Sequence, residues 1–530
     1  MRLSRISRRR VASTALASSL TLVASVGSAR TVNVTDVASL TSAIGGAAAG
    51  DEIILADGTY HFTSSPSCSA AGPIFVHAAT PLGARIEFDA LEGFHVTGPQ
   101  WRFEGLDIHG VCAADDNCEH AFHVTGAATG FVMRGNRVVD FNAQLKVNAD
   151  KPGGAWVQPN GGLVEGNEVF DTHARATSNP VTKLNIDGVD DWVVRANLLH
   201  DGHKNGGDGV SYQSFIKGGG KRGLYERNLV ICTRDDATGG TRIGLSFGGG
   251  GTGPQYCAPA FDAAVPCDPE VTGGVMRNNI IVNCSDVGIY LNKAKDTKLL
   301  YNTLIDTSGV DFRFASSTGE ADGNVMSSHV RARDGGAFTV GVNLLDVADF
   351  TPWYVAPALG DLRKKGDLSA LLGKGTARGE VTDDYCARAR GAGAFDLGAL
   401  QASLGDCDTL RPPLGGTTPG DAGADSSTAG DTGSGVVDAA KDARTDGPAP
   451  ADATREVSGD ASGDASGSDA NDPDACPASQ PGCPGSTFDA AVDPGGCGCR
   501  TAPSREPPLA SLLSAFVLAC VIRRRRRTPS

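Results

Sequence analysis

The middle of the chain repeats a short pattern in which one asparagine is followed by apolar residues. Seven positions carry it: Asn136, Asn167, Asn197, Asn228, Asn279, Asn302 and Asn324. Successive gaps of 31, 30, 31, 51, 23 and 22 residues show a short repeat that is lengthened irregularly. This is typical of a β-solenoid whose coils carry loops of unequal length. Because one coil cannot bury its own apolar face, the coils must stack, and the asparagines are expected to hydrogen-bond along the stack as a ladder.

Apolar residues alternate with polar ones in the strand that precedes each asparagine. The apolar pairs are Phe94/Val96, Phe122/Val124, Leu145/Val147, Leu184/Ile186, Ile289/Leu291 and Phe312/Phe314. If these pairs face the core, the residues between and after them form outward-facing rows. One predicted row is His95, His123, Lys146, Asn185, Tyr290 and Arg313, and the next is Thr97, Thr125, Asn148, Asp187 and Asn292. In a further strand Ile216 faces inward, which places Lys217 beside Asp187.

The start of the chain predicts a cap for such a solenoid. Asp36 can N-cap a helix that runs to about Ala49 and is ended by Gly50, before a strand from Glu52 to Leu55. An amphipathic helix there would cover the exposed edge of the first coil. The predicted fold is therefore all-β: a single-stranded right-handed parallel β-helix of roughly 12 to 14 coils, spanning residues 30–410, with an N-terminal helical cap.

Several segments resemble known β-helix proteins. Residues 31–62, 72–88 and 94–110 resemble the opening of pectate-lyase-like right-handed parallel β-helices, nearest to polysaccharide lyase family 6, the chondroitinase B and alginate lyase group. Residues 358–375 and 383–400 resemble the usual end of exported β-helix proteins. The resemblance implies the fold over residues 31–405. The acidic calcium pair, the catalytic lysine that follows it and the arginine motif of that family have no clean match here, so no residue role is carried over.

Both ends of the chain predict export and anchoring. Residues 1–29 combine an Arg-rich start with an apolar stretch, typical of a signal peptide cleaved after Ala29, by a general secretory or a twin-arginine route. Residues 411–475 are rich in Gly, Ala, Ser and Asp and predict a disordered acidic linker. Residues 476–530 contain a Cys-x-Cys pair, a short apolar run and five arginines, and they resemble the MYXO-CTERM sorting signal. That resemblance implies processing near Cys497 and display at the cell surface through a lipid or membrane anchor, and an ordinary short anchor is the alternative.

Charge and cysteine content narrow the functional classes. The net charge of −14 disfavours nucleic acid as a partner, because no basic domain is left to neutralise phosphate. In an exported protein the cysteines favour disulfides over a metal cluster. The predicted pairs are Cys112–Cys118, Cys257–Cys267, Cys386–Cys407 and Cys232–Cys284, which leaves Cys68 over.

The outward rows predict one polar cluster: His123, Lys146, Asn148, Asn185, Asp187 and Lys217. Such a patch suits β-elimination on a uronate, in which a cation pairs with the carboxylate, a base takes the C5 proton and an acid protonates the leaving oxygen. Lys146, Lys217, His123 and Arg313 are the predicted catalytic residues. Asn148 and Asp187 are the predicted Ca²⁺ ligands.

The predicted substrate-binding residues are Asn185, His173, Arg175 and Tyr290. If the patch is only a solvated sheet face, the site is expected among His173, Arg175, His200 and His203, which lie in loops after the asparagines. The expected partner is a polysaccharide or cell-surface glycan and the expected state is a monomer. The alternative function is a non-catalytic glycan-binding or spacer module.

Overall fold

Three long parallel sheets contain most strands of the part of the chain that the computed structural model describes, residues 29–249 and 251–411. Sheet A has twelve strands: Thr31–Val34, Glu52–Leu55, Ile74–Ala78, Trp101–Glu104, Val132–Arg134, Leu163–Glu165, Val193–Arg195, Leu224–Glu226, Val275–Arg277, Thr297–Leu300, Thr318–Asp322 and Ala337–Val340. Sheet B has ten: Gly58–Phe62, Ala84–Phe88, Asp107–Gly110, Arg137–Val139, Glu168–Phe170, Leu198–His200, Leu229–Ile231, Ile280–Val282, Thr303–Ile305 and Val325–Met326. Sheet C has ten: Ser67–Cys68, Glu92–Val96, His120–Thr125, Ala143–Asn148, Val181–Asp187, Val210–Lys217, Thr241–Phe247, Ile289–Asn292, Val310–Arg313 and Val330–Arg333.

The chain passes from sheet A to sheet B to sheet C once in each coil, and each strand pairs in parallel with its counterpart in the next coil. The predicted parallel β-helix is thus confirmed, but ten coils contain a strand of all three sheets, fewer than the 12 to 14 predicted. Smaller elements complete the description. They are the strands Gly220–Lys221, Val271–Thr272 and Ala294–Lys295, the antiparallel pair Tyr354–Ala356 and Asp361–Lys364, and the 3-10 helices Asp115–Asn117, Pro152–Gly154, Pro254–Tyr256, Pro357–Leu359 and Ala402–Leu404.

The predicted asparagine ladder is present between sheets A and B. The side-chain oxygen of Asn167 accepts hydrogen bonds from the backbone N–H and the side-chain amide of Asn136, at 2.9 and 3.2 Å. The same pair of bonds repeats at every predicted ladder position. Asn343 extends the ladder by one more coil, accepting from Asn324 at 2.9 Å. These amides satisfy turn N–H groups that no strand pairing could reach, which is why the turn requires asparagine.

The N-terminal cap is an α-helix, Val37–Gly45, which ends a few residues earlier than predicted. Asp36 caps it as predicted: its side chain accepts a hydrogen bond from the N–H of Ser39, whose hydroxyl lies 3.2 Å from the Asp36 N–H. Leu40 and Ile44 are buried against the first coil. No helix among the described residues is long and apolar enough to cross a membrane. The predicted signal peptide, linker and sorting segment lie outside the described residues, apart from Ala29 and Arg411 at the boundaries.

Residues 344–411 fold back along the outside of sheet B. In each sheet B strand the central residues, such as Val230 and Ile281, join the main core, while Leu229 and Ile280 face outward into a second apolar cluster. The folded-back segment covers this cluster with apolar side chains: Phe350, Tyr354, Leu362, Leu368, Leu371 and Tyr385. The later strands of sheet B, from Leu198–His200 to Val325–Met326, are therefore covered on both faces, whereas an early strand such as Gly58–Phe62 keeps exposed outer residues.

The four predicted disulfides are all present, and Cys68 is a free buried thiol. Cys232–Cys284 ties neighbouring coils together, because the two cysteines follow adjacent sheet B strands. Cys257–Cys267 closes a long loop beside sheet C. Both stabilise segments that have little secondary structure of their own.

Candidate functional site

The outer face of sheet C contains the predicted polar cluster. Register pairs His95 with His123, His123 with Lys146 and Lys146 with Asn185. In the next row Thr125 pairs with Asn148, and Asp187 pairs with Lys217. Five neighbouring strands thus contribute one continuous patch, as the alternation predicted.

Asp187 lies between two lysines at the centre of this patch. One carboxylate oxygen, Oδ2, is 3.9 Å from the Nζ of Lys146 and 3.7 Å from the Nζ of Lys217. Lys146 also donates to the side-chain oxygen of Asn185 at 3.1 Å. The side chains of Lys146, Asp187 and Lys217 are 12%, 14% and 15% exposed, so they are held in place yet reachable from solvent. We call these three residues the open lysine cluster.

A glycine allows Asp187 to take this position. Gly218 has φ of 73°, in the left-handed region that glycine favours, and a Cβ added there would lie 1.8 Å from the Oδ1 of Asp187. Any side chain at residue 218 would therefore displace the carboxylate. Gly218, in the Gly-rich run after Lys217, therefore lets Asp187 lie against the backbone of the next coil.

Sequence reasoning missed Glu270, which stands behind Lys217. Glu270 is buried and accepts a hydrogen bond from the N–H of Gly249 at 3.0 Å. Burial raises the pKa of this carboxyl, and the positive charge of Lys217 opposes the rise. Lys217 also lies over the ring of Phe215, with its Nζ 4.8 Å from the ring centroid. Lys217 thus lies against an aromatic ring and near two acidic side chains, Asp187 and Glu270.

Histidines adjoin the open lysine cluster on its N-terminal side. His123 is 4% exposed, and its two ring nitrogens lie 2.8 Å from Glu92 and 2.9 Å from Asn148. The ring of His95 stacks on that of His123 with centroids 5.3 Å apart. Burial, reinforced by the neighbouring His123, lowers the pKa of His95. His123 is therefore a fixed hydrogen-bonding link between Glu92 and Asn148.

Two loops form a wall along the edge of sheet C where its strands end. The side chain of Gln158 donates to the carbonyl of Gly188 at 2.5 Å, and the N–H of Ala258 donates to the carbonyl of Gly218 at 2.8 Å. The loops also contact each other, because the rings of Trp156 and Phe261 stack at 4.6 Å. Residues 149–160 and 251–270 thus stand beside the open lysine cluster.

The predicted place of Arg313 was wrong by two residues of register. Arg313 pairs with Asn292 and not with Tyr290, because Val310 and Phe312 are the inward pair of this strand. Phe314, expected inside, has φ of 71° and lies just past the strand. Arg313 still reaches Tyr290, donating to its hydroxyl at 3.1 Å, and it also pairs with Asp334 at 2.7 Å.

His173 and Arg175 lie away from the open lysine cluster. Both contact Asp115: Arg175 at 2.9 Å, with its side chain 2% exposed, and His173 at 3.3 Å, with its side chain 53% exposed. Arg175 also donates to the side-chain oxygen of Asn142 at 3.1 Å. Arg175 therefore joins two loops internally, and of these two side chains His173 is the one available to a ligand.

His200 and His203 are also packed into the structure. His200 stacks on Phe170 and hydrogen-bonds to Asp201 at 2.7 Å. His200, Asp201 and Asp235 offer ligand atoms within 4.8 Å of one another, a possible acidic metal-binding group. Asp201, however, already accepts backbone N–H groups from residues 234–236. For His203, burial, with the nearby Arg242, lowers the pKa to about 4.

The predicted calcium ligands do not form a donor set that suits Ca²⁺. This ion takes about six to eight oxygen ligands. Asp187 is the one carboxylate of the pair, and two ammonium groups already face it. The side-chain oxygen of Asn148 lies 2.9 Å from His123. Placing Ca²⁺ here would bring a divalent cation beside two lysines, so Asn148 and Asp187 do not suit this ion.

Comparisons with known proteins find similarity of fold at low identity. No family model and no curated protein matches the sequence. Among solved structures, the pectate lyase Pel9A is 15% identical, with a TM-score of 0.49 over 70% of this chain and 96% of its own. An alginate lyase from Paenibacillus sp. str. FPU-7 is 17% identical, with a TM-score of 0.36 over 59% and 99%. A family 6 polysaccharide lyase from Pseudopedobacter saltans, Pedsa3628, is 12% identical, with a TM-score of 0.31 over 60% and 94%. These values transfer neither a site nor an activity to this chain.

Proposed function

We propose that the protein acts on an acidic polysaccharide bound along the outer face of sheet C. The observation that supports this is the open lysine cluster, in which two partly exposed ammonium groups flank one carboxylate. A uronate carboxylate entering the patch can take the place of Asp187 at one of the lysines. Lys146 and Lys217 lie on strands two coils apart, about 10 Å along the stack, so a chain of sugar units that follows the stack can meet both.

The same residues supply the groups that β-elimination needs. In this reaction one lysine would pair with the uronate carboxylate and make the C5 proton more acidic, and the other, in its neutral form, would accept that proton. The hydroxyl of Tyr290, held by Arg313 and by Asn292 at 3.1 Å each, is a candidate donor further along the face. A uronate-directed lyase is therefore the reaction we propose first.

A non-catalytic glycan-binding function has its own supporting observation. Asp187 faces both lysines at once, at 3.9 and 3.7 Å, so each lysine already has an acidic partner. A charged lysine binds an anion but cannot accept a proton. If Asp187 stays in place when the polysaccharide binds, the face holds the glycan without cleaving it.

Digestion of a panel of polyuronates and glycosaminoglycans by the full chain separates these functions. Lyase activity gives an unsaturated product with ultraviolet absorbance, which we expect to be lost in both Lys146→Ala and Lys217→Ala and unchanged by a chelator. Retardation of the protein in gels containing polyuronate, without product, would support the binding function. Neither product nor retardation with any acidic polysaccharide would contradict the proposal.

We also propose that the protein is displayed at the cell surface. Four disulfides among the described residues fit an oxidising compartment. We expect mass spectrometry of the mature protein to find an N-terminus after Ala29 and a processed C-terminus near Cys497. A mature chain that keeps Arg523 to Arg527 would contradict the sorting part of this proposal.

A further inference from the structure

Lys183 and Asp171 form a second lysine–aspartate pair, and it is sealed inside the protein. Lys183 precedes Asn185 by two residues and so lies on the same side of its strand as the open lysine cluster. Its Nζ is in direct contact with a carboxylate oxygen of Asp171, and both side chains are 0% exposed. No role in glycan binding explains this pair, because no ligand can reach it.

The surroundings hold the two groups against each other. The side-chain amide of Gln144 donates to the other oxygen of Asp171 at 2.9 Å. Gly202 packs onto the lysine so closely that a Cβ added there would lie 2.5 Å from the Cε of Lys183. The nearby cation Arg175 is already paired with Asp115. Each of Lys183 and Asp171 therefore has the other as its ion-pair partner.

We propose that Lys183 and Asp171 are joined by an intramolecular isopeptide bond. The neutral Nζ attacks the Cγ of the protonated carboxyl, and one carbon–oxygen bond breaks. The departing oxygen keeps its proton, takes one more from the nitrogen and leaves as water, so that an amide and one water replace an amine and a carboxylic acid. No oxidant or co-reactant is needed. The hydrogen bond from Gln144 to the remaining oxygen polarises the carbonyl for attack.

Burial favours the reactive forms of both partners. It raises the pKa of Asp171 and lowers the pKa of Lys183, which moves the pair toward a protonated carboxyl and a neutral amine. Direct contact makes the reaction effectively unimolecular. The pair formed by Lys217 and Asp187 is the natural control, because its atoms are 3.7 Å apart and both side chains reach solvent.

Peptide mapping of the full chain, denatured and reduced before tryptic digestion, tests the bond. Trypsin cleaves after Lys183 only if its amine is free. We expect residues 147–175 to be recovered covalently linked to residues 176–195, with no cut after Lys183 and with the mass of one water missing. Cleavage after Lys217 should be normal. Recovery of separate peptides 176–183 and 184–195 from most of the protein would overturn the proposal.

Two variants sharpen the test. Asp171→Asn should give the same linked peptide, because an asparagine amide reacts with the amine and releases ammonia. Lys183→Arg should give none, because a guanidinium does not form this amide. A linked peptide of the same kind in Lys183→Arg would overturn the assignment to Lys183. If either variant fails to fold, the map of the unaltered chain decides alone.

Discussion

Two lysine–aspartate groups adjoin the outer face of sheet C, and they differ in what covers them. At the open lysine cluster, Lys146 and Lys217 are 12% and 15% exposed around Asp187. At the other, Lys183 and Asp171 are completely buried. The residue types are the same, and Lys183 and Asp187 lie on one strand, Val181–Asp187. Burial by neighbouring loops, rather than residue type, therefore decides whether such a pair can meet a ligand.

The loops produce this difference by where they pack. The segment around Gly202 lies directly on Lys183. The loops that contain Gln158 and Ala258 contact the backbone just past the strand ends, at Gly188 and Gly218, and so stand beside the open lysine cluster. A groove floor and a sealed polar core thus lie within a few residues of each other on one strand.

The largest effect is expected from removing one partner of the buried pair. Lys183→Ala leaves Asp171 without its partner in a site that water cannot reach, which should lower the free energy of unfolding by about 3–5 kcal/mol. Lys217→Ala, the matched change at the open lysine cluster, should change it by only about 0.5 kcal/mol. Denaturant unfolding of both variants checks the difference. Equal losses of stability in Lys183→Ala and Lys217→Ala would contradict the expected effect of burial.

The asparagine ladder should give an intermediate effect, because its buried groups are polar but uncharged. Asn167→Ala removes the acceptor used by Asn136 and leaves N–H groups unsatisfied in adjacent coils. We expect a loss of about 1–3 kcal/mol of stability. Glycan binding should persist under conditions in which the variant is folded. Loss of binding by a folded Asn167→Ala would show that the ladder and the sheet C face are coupled.

Acid should destabilise the protein through Asp201, which follows a sheet B strand. Burial works against the charge of Asp201, but hydrogen bonds from His200 and from backbone N–H groups outweigh it and lower its pKa from 3.8 to about 2. A lowered carboxyl pKa stabilises the fold above pH 3.8, and this contribution is lost as the pH falls toward 2. Asp201→Asn should therefore flatten the fall in stability between these pH values, measured by unfolding at each pH. If the stability of Asp201→Asn falls as steeply over this pH range as that of the unaltered protein, the assignment to Asp201 is contradicted.

The smallest stability effect is expected for Lys146→Ala. Lys146 is partly exposed, and its removal leaves Lys217 beside Asp187, at 3.7 Å. The free energy of unfolding should change by no more than about 0.5 kcal/mol. A loss several times larger, measured by denaturant unfolding, would mean that the open lysine cluster is part of the folding core.

Local periodicity was enough to predict most of the fold. The asparagines mark one turn in every coil, and the apolar pairs set which side of each strand faces inward, so the neighbours of Lys146 and Lys217 could be read directly. Arg313 shows the limit of this reasoning. Its strand offers three alternating apolar residues, Val310, Phe312 and Phe314, so two registers fit the same pattern and the alternation alone does not distinguish them.

Contacts made by loops could not be read from the repeat. Glu270 reaches Lys217 from a long loop whose length follows no period. Burial of Lys183 depends on the packing of Gly202, and nothing in the strand pattern distinguishes Lys183 from the exposed lysines near it. The disulfide between Cys257 and Cys267 was the exception, because the spacing of the cysteines along the chain was enough to predict which two of them close this loop.

The most direct test of the sheet C face is a calorimetric titration with an oligouronate of defined length. The unaltered protein should bind it, and Lys146→Ala combined with Lys217→Ala should weaken binding at least about tenfold. Lys298→Ala is the matched control, because it removes a lysine on sheet A that pairs with Glu380 at 2.6 Å, and it should bind normally. The same oligosaccharide with its carboxyl groups reduced should bind weakly or not at all. Unchanged affinity in the double variant, or equal affinity for the reduced sugar, would contradict the proposed site.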